Sequence, residues 1–182
     1  MKKLNINIIT ISDSRTAKTD KSGDILINLI KKSGHEVKKK VIVPDNIYEI
    51  RSSVSNFILD KNIDVIITNG GTGITGRDGT PEAIMPLLDK EIDGFGELFR
   101  SLSYEKIKTS SLQSRSLAGV ANSTFIFVLP GSPDACITAW EEIIQGEKYY
   151  VDQFNHVYTN NATSPSYLGK KTMEGTILKV GA

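Results

Sequence analysis

The sequence predicts an α/β fold in which a mostly parallel sheet is covered by helices on both faces. Short apolar segments typical of buried strands alternate with longer segments whose apolar residues recur at helical spacing. The strand segments are nearly continuous apolar runs, which is typical of strands buried on both sides of a sheet. Polar and glycine-rich segments follow several of the strands, as in α/β proteins that bind ligands at one edge of the sheet.

The first half of the chain predicts three strands and two helices. The first strand is Ile-rich, Gly34 is well placed to end the first helix, and Pro44 stops the second strand. Asn46, with Glu49 three residues later, resembles a capping box at the start of the second helix. In chain order the predicted strand, helix, strand, helix and strand cover residues 4–11, 22–33, 36–43, 46–60 and 63–68.

The second half predicts further helices and one more buried strand. Thr80 followed by Pro81 is a strong helix start, with Thr80 as the N-cap. A charged helix is predicted over 92–110 and a strand over 124–129, after which Ser132 and Pro133 repeat the cap-plus-proline pattern. We therefore expect a domain over residues 1–150. Residues 151–182 lack periodicity and are interpreted as a C-terminal tail, either docked on another subunit or disordered.

Composition and charge exclude several classes of protein. The formal net charge is +1, which gives no electrostatic reason to expect binding to nucleic acid or to an anionic membrane. The single cysteine, Cys136, excludes an internal disulfide framework. No segment approaches the ~20 apolar residues of a membrane span, and the N-terminal segment makes a poor signal peptide. These features predict a cytoplasmic protein.

A glycine-rich loop follows the third predicted strand. Five of the residues between 70 and 81 are glycines, so the backbone can turn sharply and its N–H groups can surround phosphate oxygens. The loop lacks the Gly-Lys-Ser/Thr of a Walker loop, and its Gly71-x-Gly73-x-x-Gly76 opens no helix directly, so it is not a dinucleotide fingerprint. A purely structural turn is the alternative. Its candidate ligand contacts are Gly70, Gly71, Thr72 and Gly73.

Asp45 and Asp78 are the candidate metal-binding carboxylates. They follow different strands of the predicted sheet at one edge, so they can converge on one cleft. Mg²⁺ prefers one or two carboxylates together with water and substrate phosphates. The alternatives are a simple turn residue for Asp45 and a loop acid paired with Arg77 for Asp78.

Other polar residues at the same edge are candidates for nucleotide or pterin contacts. Ser12 and Asp13 end the first strand, and a solvated loop is the alternative for them. Arg115 is expected to pair either with phosphate or with a surface acid, and its neighbour Ser114 is included with it. The helix that starts after Ser132 offers free N–H groups to an anion. Pro130, Gly131 and Ser132 complete that segment.

Six stretches together resemble the MoaB/MogA family of molybdenum-cofactor biosynthesis proteins, which includes the G domain of gephyrin and its plant counterpart. The resemblance covers about residues 4–145, and its fourth and sixth stretches resemble the MoaB branch in particular. In order the stretches are NGGTG at 69–73, RDGTPEA at 77–83, GFGELFR at 94–100, LQSRSLAGVAN at 112–122, LPGSP at 129–133 and TAWEEII at 138–144.

The resemblance implies a three-layer α/β/α molybdopterin-binding fold. It implies an adenylyltransferase that converts MgATP and molybdopterin into adenylyl-molybdopterin and pyrophosphate. The essential acids of the family correspond to Asp45 and Asp78, which would hold Mg²⁺, and the turn at 130–132 would bind the molybdopterin phosphate. The resemblance also implies a homo-trimer or a homo-hexamer, and other molybdenum-cofactor enzymes as partners.

Two other functions remain open at this point. Some MoaB-branch proteins carry replacements at the acid positions, so a non-catalytic molybdopterin-binding or scaffold protein of the same pathway is one alternative. The other is an unrelated nucleotide-binding α/β protein, for example one that acts on a phosphosugar. Because both Asp45 and Asp78 are present, the sequence favours the enzyme.

Overall fold

A computed structural model of the protein describes residues 3–145. The predicted tail at 151–182, and the domain boundary at 150, lie outside the described residues. Strands and helices alternate as the sequence predicts. In order the elements are β1 (Asn5–Ile11), α1 (Lys21–Lys32), β2 (Glu36–Val43), α2 (Ile47–Leu59), β3 (Val65–Asn69), α3 (Thr80–Ile84), β4 (Lys90–Glu91), α4 (Asp93–Ile107), β5 (Leu117–Ala121), β6 (Thr124–Leu129) and α5 (Pro133–Thr138).

The six strands form one sheet in the order β2-β1-β3-β6-β5-β4. Strands β2, β1, β3 and β6 run parallel to one another, while β5 is antiparallel to both β6 and β4. The chain leaves β1 towards β2 on one side and then returns to β3 on the other side. The crevice between the carboxyl ends of β1 and β3 is therefore the switch point at which ligands bind in open α/β sheets.

Two apolar cores, one on each face of the sheet, make the fold three-layered. One core joins the sheet to α1, α4, α5 and the π-helical segment Ala139–Ile144 that continues α5, and Trp140 and Phe95 are its largest side chains. The other joins the sheet to α2 and α3. This arrangement confirms the predicted mostly parallel sheet with helices on both faces. None of the helices between residues 3 and 145 combines the length and the apolar character that a membrane span requires.

Three helices begin with side-chain caps at the edge of the sheet where the switch point lies. The Asn46 Oδ1 atom accepts from the Tyr48 N–H at 2.9 Å and starts α2. The Asp20 Oδ1 atom accepts from the Gly23 N–H at 3.0 Å and starts α1. Ser132 caps α5, as predicted, by accepting from the Ala135 N–H at 3.2 Å. These caps bring the starts of α1, α2 and α5 to the carboxyl ends of the parallel strands.

The structure differs from the sequence-based prediction in four elements, α3, α4, β4 and β5. Thr80 is not the N-cap of α3, because Gly79 occupies that position and the Thr80 hydroxyl donates to the Gly70 carbonyl at 2.9 Å. The predicted helix over 92–110 ends at Ile107 and continues as 3-10 turns to Gln113. Strands β4 and β5 were not predicted, and they add the antiparallel edge of the sheet.

Candidate functional site

The glycine-rich loop leaves β3 beside the end of β1 and returns on itself at α3. Gly70 and Gly71 have φ angles of 109° and 62°, a region that favours glycine. A Cβ on Gly70 would lie 2.2 Å from the Ile11 carbonyl oxygen, so the loop passes very close to the first strand. The Thr80 N–H donates to the Gly71 carbonyl at 3.0 Å and closes the loop. Gly70 and Gly71 are therefore required by this path of the backbone.

Asp45 lies immediately before α2 and faces the glycine-rich loop. Its Oδ1 accepts from the Gly79 N–H at 3.4 Å, and a Cβ on Gly71 would lie 2.9 Å from its Oδ2. Burial raises the pKa of the Asp45 carboxyl, and the neighbouring charges of Asp78 and Asp13 raise it further, against the Gly79 hydrogen bond and Arg77, which lower it. Ionising Asp45 beside Asp78 and Asp13 therefore costs electrostatic free energy.

Asp78 lies at the far end of the same loop. Its Oδ2 accepts from both the hydroxyl and the N–H of Thr75, at 2.5 and 3.0 Å, and a Cβ on Gly73 would approach that oxygen to 2.7 Å. The Thr75 hydroxyl lowers the pKa of this carboxyl most, and the N–H groups of Thr75 and Gly73 and the charge of Arg115 add to that effect against burial. Asp78 is therefore held ionised.

Both acids line one open cavity of about 690 Å³. That volume lies within the range of small-molecule sites. Tyr48 and Ile74 also line it, with 76% and 67% of their surface exposed, and present apolar surface beside the charged groups. The structure thus brings Asp45 and Asp78, which are far apart in the sequence, to a shared pocket.

Arg115 also lines this cavity, but its guanidinium is engaged by the protein. Its Nε donates to the Gly73 carbonyl at 2.8 Å, and its Nη2 donates to the Asp78 carbonyl at 2.7 Å. Its Nη1 contacts the Glu82 carboxylate. The Nε also lies 3.3 Å from the Thr72 carbonyl oxygen. One side chain therefore joins both ends of the glycine-rich loop, and the expected ion pair with a nearby acid is the one with Glu82.

The residues after β1 contact the same site from the other side. Ser12 bonds through its N–H to the Val43 carbonyl at 2.9 Å, and its hydroxyl accepts from the next turn. The Asp13 Oδ1 atom accepts from the Asp45 N–H at 3.2 Å, while its Oδ2 pairs with Arg77. Arg77 therefore pairs with Asp13, and the pairing with Asp78 considered from the sequence is wrong.

The other predicted contacts lie beside the cavity rather than in its lining. A Cβ on Gly131 would come within 3.2 Å of the Gly70 Cα, so the turn at 130–132 adjoins the start of the glycine-rich loop. The Ser22 hydroxyl holds that turn through the Gly131 carbonyl at 2.6 Å. Ser114 lines a separate depression with Arg100, and its hydroxyl lies 3.0 Å from that of Ser116.

The acids fit a magnesium ion, the metal that the resemblance implies. In the described range no group of three or more His, Cys, Asp or Glu side chains is arranged to hold a metal. Two carboxylates in an open cavity nevertheless match Mg²⁺, which takes its remaining ligands from water and substrate phosphates. Gly71 and Gly73 leave the space beside each carboxylate that a Cβ would fill. Asp45 and Asp78 are the residues that would hold it.

Comparisons with known proteins agree with this fold. The model of a family described as "Probable molybdopterin binding domain" matches residues 7–148. "Molybdenum cofactor biosynthesis protein B" of Escherichia coli K12 is 51% identical over 139 residues, which are 76% of this chain and 82% of that protein. The protein of that name in Bacillus subtilis is 43% identical over 145 residues, or 79% and 85% of the two chains.

Solved structures of similar proteins share the architecture. A crystal structure of a "Molybdenum cofactor biosynthesis protein B" superimposes with a TM-score of 0.80 at 43% identity, over 85% of this chain and 98% of that one. The "tungsten cofactor synthesizing protein MoaB from Pyrococcus furiosus" gives a TM-score of 0.74 at 37% identity, over 84% and 97% of the two chains. Both similarities extend over nearly the whole length of the solved chains.

Proposed function

Because this chain belongs to the family of probable molybdopterin binding domains, we propose that it acts in molybdenum-cofactor biosynthesis and transfers an adenylyl group from ATP to molybdopterin. In this reaction a phosphate oxygen of molybdopterin attacks the α-phosphorus of ATP. The bond between that phosphorus and the oxygen bridging to the β-phosphate breaks, and pyrophosphate leaves. The observation that carries the proposal is the placement of Asp45 and Asp78 in one cavity.

The charges of the site suit a transfer between two anions. Two anionic substrates repel each other, and phosphoryl-type transfers depend mainly on positioning and charge stabilisation rather than on covalent help from the protein. Bound Mg²⁺ supplies the positive charge that offsets this repulsion. Asp78, held ionised by Thr75, and Asp45, whose charge is opposed by burial, are the two carboxylates that would hold it.

The neighbouring turn is the proposed site of the molybdopterin phosphate. Gly131 packs against Gly70, so a ligand bound at the turn lies next to the glycine-rich loop. Ser132 uses its oxygen as an acceptor for the α5 cap, which leaves its hydroxyl hydrogen for a phosphate. The residues Gly70 to Gly73 and Ser12 are proposed to complete the contacts to the substrates, and Asp13 is proposed to contact the pterin. The Gly70 N–H is not among the donors, because it bonds to the Leu129 carbonyl at 3.0 Å.

The direct test incubates the protein with molybdopterin, ATP and Mg²⁺ and measures pyrophosphate and adenylated pterin. The proposal expects both products in equal amounts and neither when Mg²⁺ is chelated. Tight pterin binding without pyrophosphate would instead identify a non-catalytic binding or scaffold protein of the same pathway. Unchanged pterin fluorescence on adding protein would favour a different nucleotide-binding function, for example one on a phosphosugar.

The proposed assembly is a homo-trimer or a homo-hexamer in the cytoplasm. Apolar side chains on α4 and the turns after it are exposed in the single chain: Tyr104 by 48%, Ile107 by 52% and Leu112 by 76%. Exposed apolar surface of this kind is typical of sites that contact another protein. We also propose that other molybdenum-cofactor enzymes are partners of the protein.

A further inference from the structure

Two basic side chains line the cavity among the residues that the structure describes, Arg77 and Arg115. They differ in what they already bind. The guanidinium of Arg115 donates to the loop carbonyls of Gly73 and Asp78 and pairs with Glu82. Releasing it would break these contacts between the two ends of the loop. The guanidinium of Arg115 is therefore occupied by contacts with the loop and with Glu82, and it is not available to a ligand.

Arg77 is in the opposite situation. Its side chain is 74% exposed, and within residues 3–145 its guanidinium has a single hydrogen-bond partner, the Asp13 carboxylate, which is itself 40% exposed. Exposed ion pairs contribute little free energy, because water competes for both groups. A phosphate group can accept two hydrogen bonds from arginine, as a carboxylate can, and it carries more negative charge. The ion pair between Arg77 and Asp13 is therefore readily exchanged for a phosphate.

Asp13 has a second contact that keeps it in place during such an exchange. Its Oδ1 accepts from the Asp45 N–H at 3.2 Å, so only its Oδ2 depends on Arg77. The Asp13 carboxylate thus contacts the backbone of Asp45 and the side chain of Arg77. Arg77 directly precedes Asp78, the second proposed metal ligand. When Arg77 turns towards a ligand, Asp13 remains fixed by the Asp45 N–H.

We propose that Arg77 binds the polyphosphate of the nucleotide and that Asp13 is its counter-ion in the free protein, so that Asp13 competes with the nucleotide for the arginine. Asp45 and Asp78 would hold Mg²⁺, and Glu82 pairs with Arg115. Arg77 is therefore the guanidinium of the cavity lining that is not held by the loop and can meet a polyanion. The inference rests on the proposed function, because it assigns Arg77 a role towards the same nucleotide.

The test measures binding of Mg-ATP, and separately of Mg-pyrophosphate, to the full chain by calorimetry without molybdopterin. Arg77→Ala is expected to weaken both by about ten-fold or more, the loss typical of a charged hydrogen bond. Asp13→Asn is expected to tighten both by about two- to five-fold, since it removes a weak exposed ion pair while its amide oxygen still accepts from the Asp45 N–H. The matched control is Arg15→Ala, which removes an exposed side chain that bonds only to the Thr19 carbonyl in the described structure.

A double variant separates exchange from simple charge repulsion. If Asp13 acts by holding Arg77, the gain from Asp13→Asn disappears in the Arg77→Ala background. An equal gain in both backgrounds means that Asp13 only repels the nucleotide, and it overturns the proposal. So does unchanged affinity in Arg77→Ala, or a loss of equal size in Arg15→Ala.

The outcomes also separate this inference from the proposed reaction. Binding that responds to Arg77 and Asp13 as described, without adenylated pterin in the turnover assay, supports the inference and removes the proposed enzyme. If Arg77→Ala forms adenylated pterin at the wild-type rate and binds the nucleotide with wild-type affinity, the inference fails and the proposed enzyme stands. If the wild-type chain binds neither Mg-ATP nor Mg-pyrophosphate, both fail.

Discussion

At the scale of single residues, the two acids of the cavity carry opposite electrostatic costs. The pKa of Asp45 is raised by burial and by its acidic neighbours, whereas that of Asp78 is lowered by the Thr75 hydroxyl. Ionised Asp45 therefore destabilises the folded state, whereas ionised Asp78 stabilises it. Stability and activity are thus in conflict at one position and in agreement at the other.

This difference predicts the effects of two amide variants. Asp45→Asn and Asp78→Asn should both lower the rate of adenylyl transfer by about 100-fold or more, because each removes a charge from the proposed metal site. Asp45→Asn should raise the melting temperature at pH 7 by about 1–3 °C, while Asp78→Asn should lower it by a similar amount. Pyrophosphate release and calorimetry measure the two effects.

The pH dependence gives these variants an internal control. The cost of ionising Asp45 builds up as pH rises from the usual value of 3.8 through its raised pKa, so the advantage of Asp45→Asn should shrink as the pH falls from 7 towards 4. The contribution of Asp78 is complete above 3.8 and should stay constant over that range. Equal shifts of the same sign in both variants would contradict this account.

Residue patterns predicted that the two acids lie together, but not which groups the arginines contact. Asp45 and Asp78 follow strands of a parallel sheet, so sequence order alone was enough to place them at one edge. Arg115 reaches the loop carbonyls because β5 turns back antiparallel beside β6, and nothing in the local sequence indicates that return. Arg77 was considered only as a partner of Asp78, since the distant Asp13 becomes its neighbour only in the fold.

At the scale of elements, one arginine holds the glycine-rich loop together. Arg115→Lys should keep the charge but lose the fork that joins Gly73 to Asp78, since lysine has no planar set of donors. Amide hydrogen exchange over 72–78 should become faster, and the transfer rate should fall by about ten-fold or more because Asp78 is less well positioned.

The control for this loop variant is Arg100→Lys. Arg100 makes one long contact of 3.5 Å, to the Ser114 carbonyl, and none to the loop in the described structure. It should leave both measurements unchanged. Unaltered exchange over 72–78 in Arg115→Lys would show that the loop holds its shape without the arginine.

Helix α1 depends on a buried acid at its start. Asp20 is 1% exposed and accepts from the Gly23 N–H and the Thr10 hydroxyl, while Lys40 lies 3.0 Å away. Burial opposes ionisation of Asp20, but the bonds from Gly23, Thr10 and Lys40 together outweigh it and lower the pKa. The charge therefore stabilises the fold above pH 3.8 and ceases to do so as pH falls through the lowered pKa.

Asp20→Asn should lower the free energy of unfolding at pH 7 by about 2 kcal/mol, because it leaves a buried network one charge short. Asp24→Asn is the matched control. Asp24 also pairs with Lys40, at 2.7 Å, but its side chain is 56% exposed, so the cost should stay below about 1 kcal/mol. Urea denaturation measures both, and equal losses would refute the role of burial.

Long periodic segments were predictable as elements, and short ones were not. Strands β2 and β6 begin and end where the apolar pattern places them. Strand β4 has only two residues, both exposed, and its pairing with β5 comes from the fold rather than from any pattern. Thr80 has the sequence of a cap, but its hydroxyl finds a partner ten residues earlier, at Gly70. Long-range contacts of this kind override local preference.

At the scale of the whole molecule, the single cysteine reports on global unfolding. Cys136 lies in the core beneath α1, fully buried, and burial raises the pKa of its thiol to about 12. Since the thiolate is the reactive form, we expect a disulfide reagent to label the native protein at least about a thousand times more slowly than the unfolded chain. The rate in guanidinium chloride is the reference, and fast native labelling would contradict the buried placement.

The proposed assembly is also tested on the whole molecule. Light scattering of the full chain should give a mass three or six times that of the 20.0 kDa monomer. A monomer at micromolar concentration would leave the exposed apolar side chains of α4 without a covering subunit. If the trimer or hexamer forms, Leu112→Glu should shift it towards smaller species, because the variant places a charge on apolar surface that we expect a second subunit to cover.

Both outer strands of the sheet carry charges along their backbone edges. Strand β4 consists of exposed Lys90 and Glu91, and at the opposite margin β2 contains Lys38, Lys39 and Lys40 in succession. Lysines on a peripheral strand discourage a second chain from extending the hydrogen-bonded ladder. Both margins of the sheet are therefore poor templates for pairing with a second chain, and we expect any assembly to form through the helices rather than through the strands.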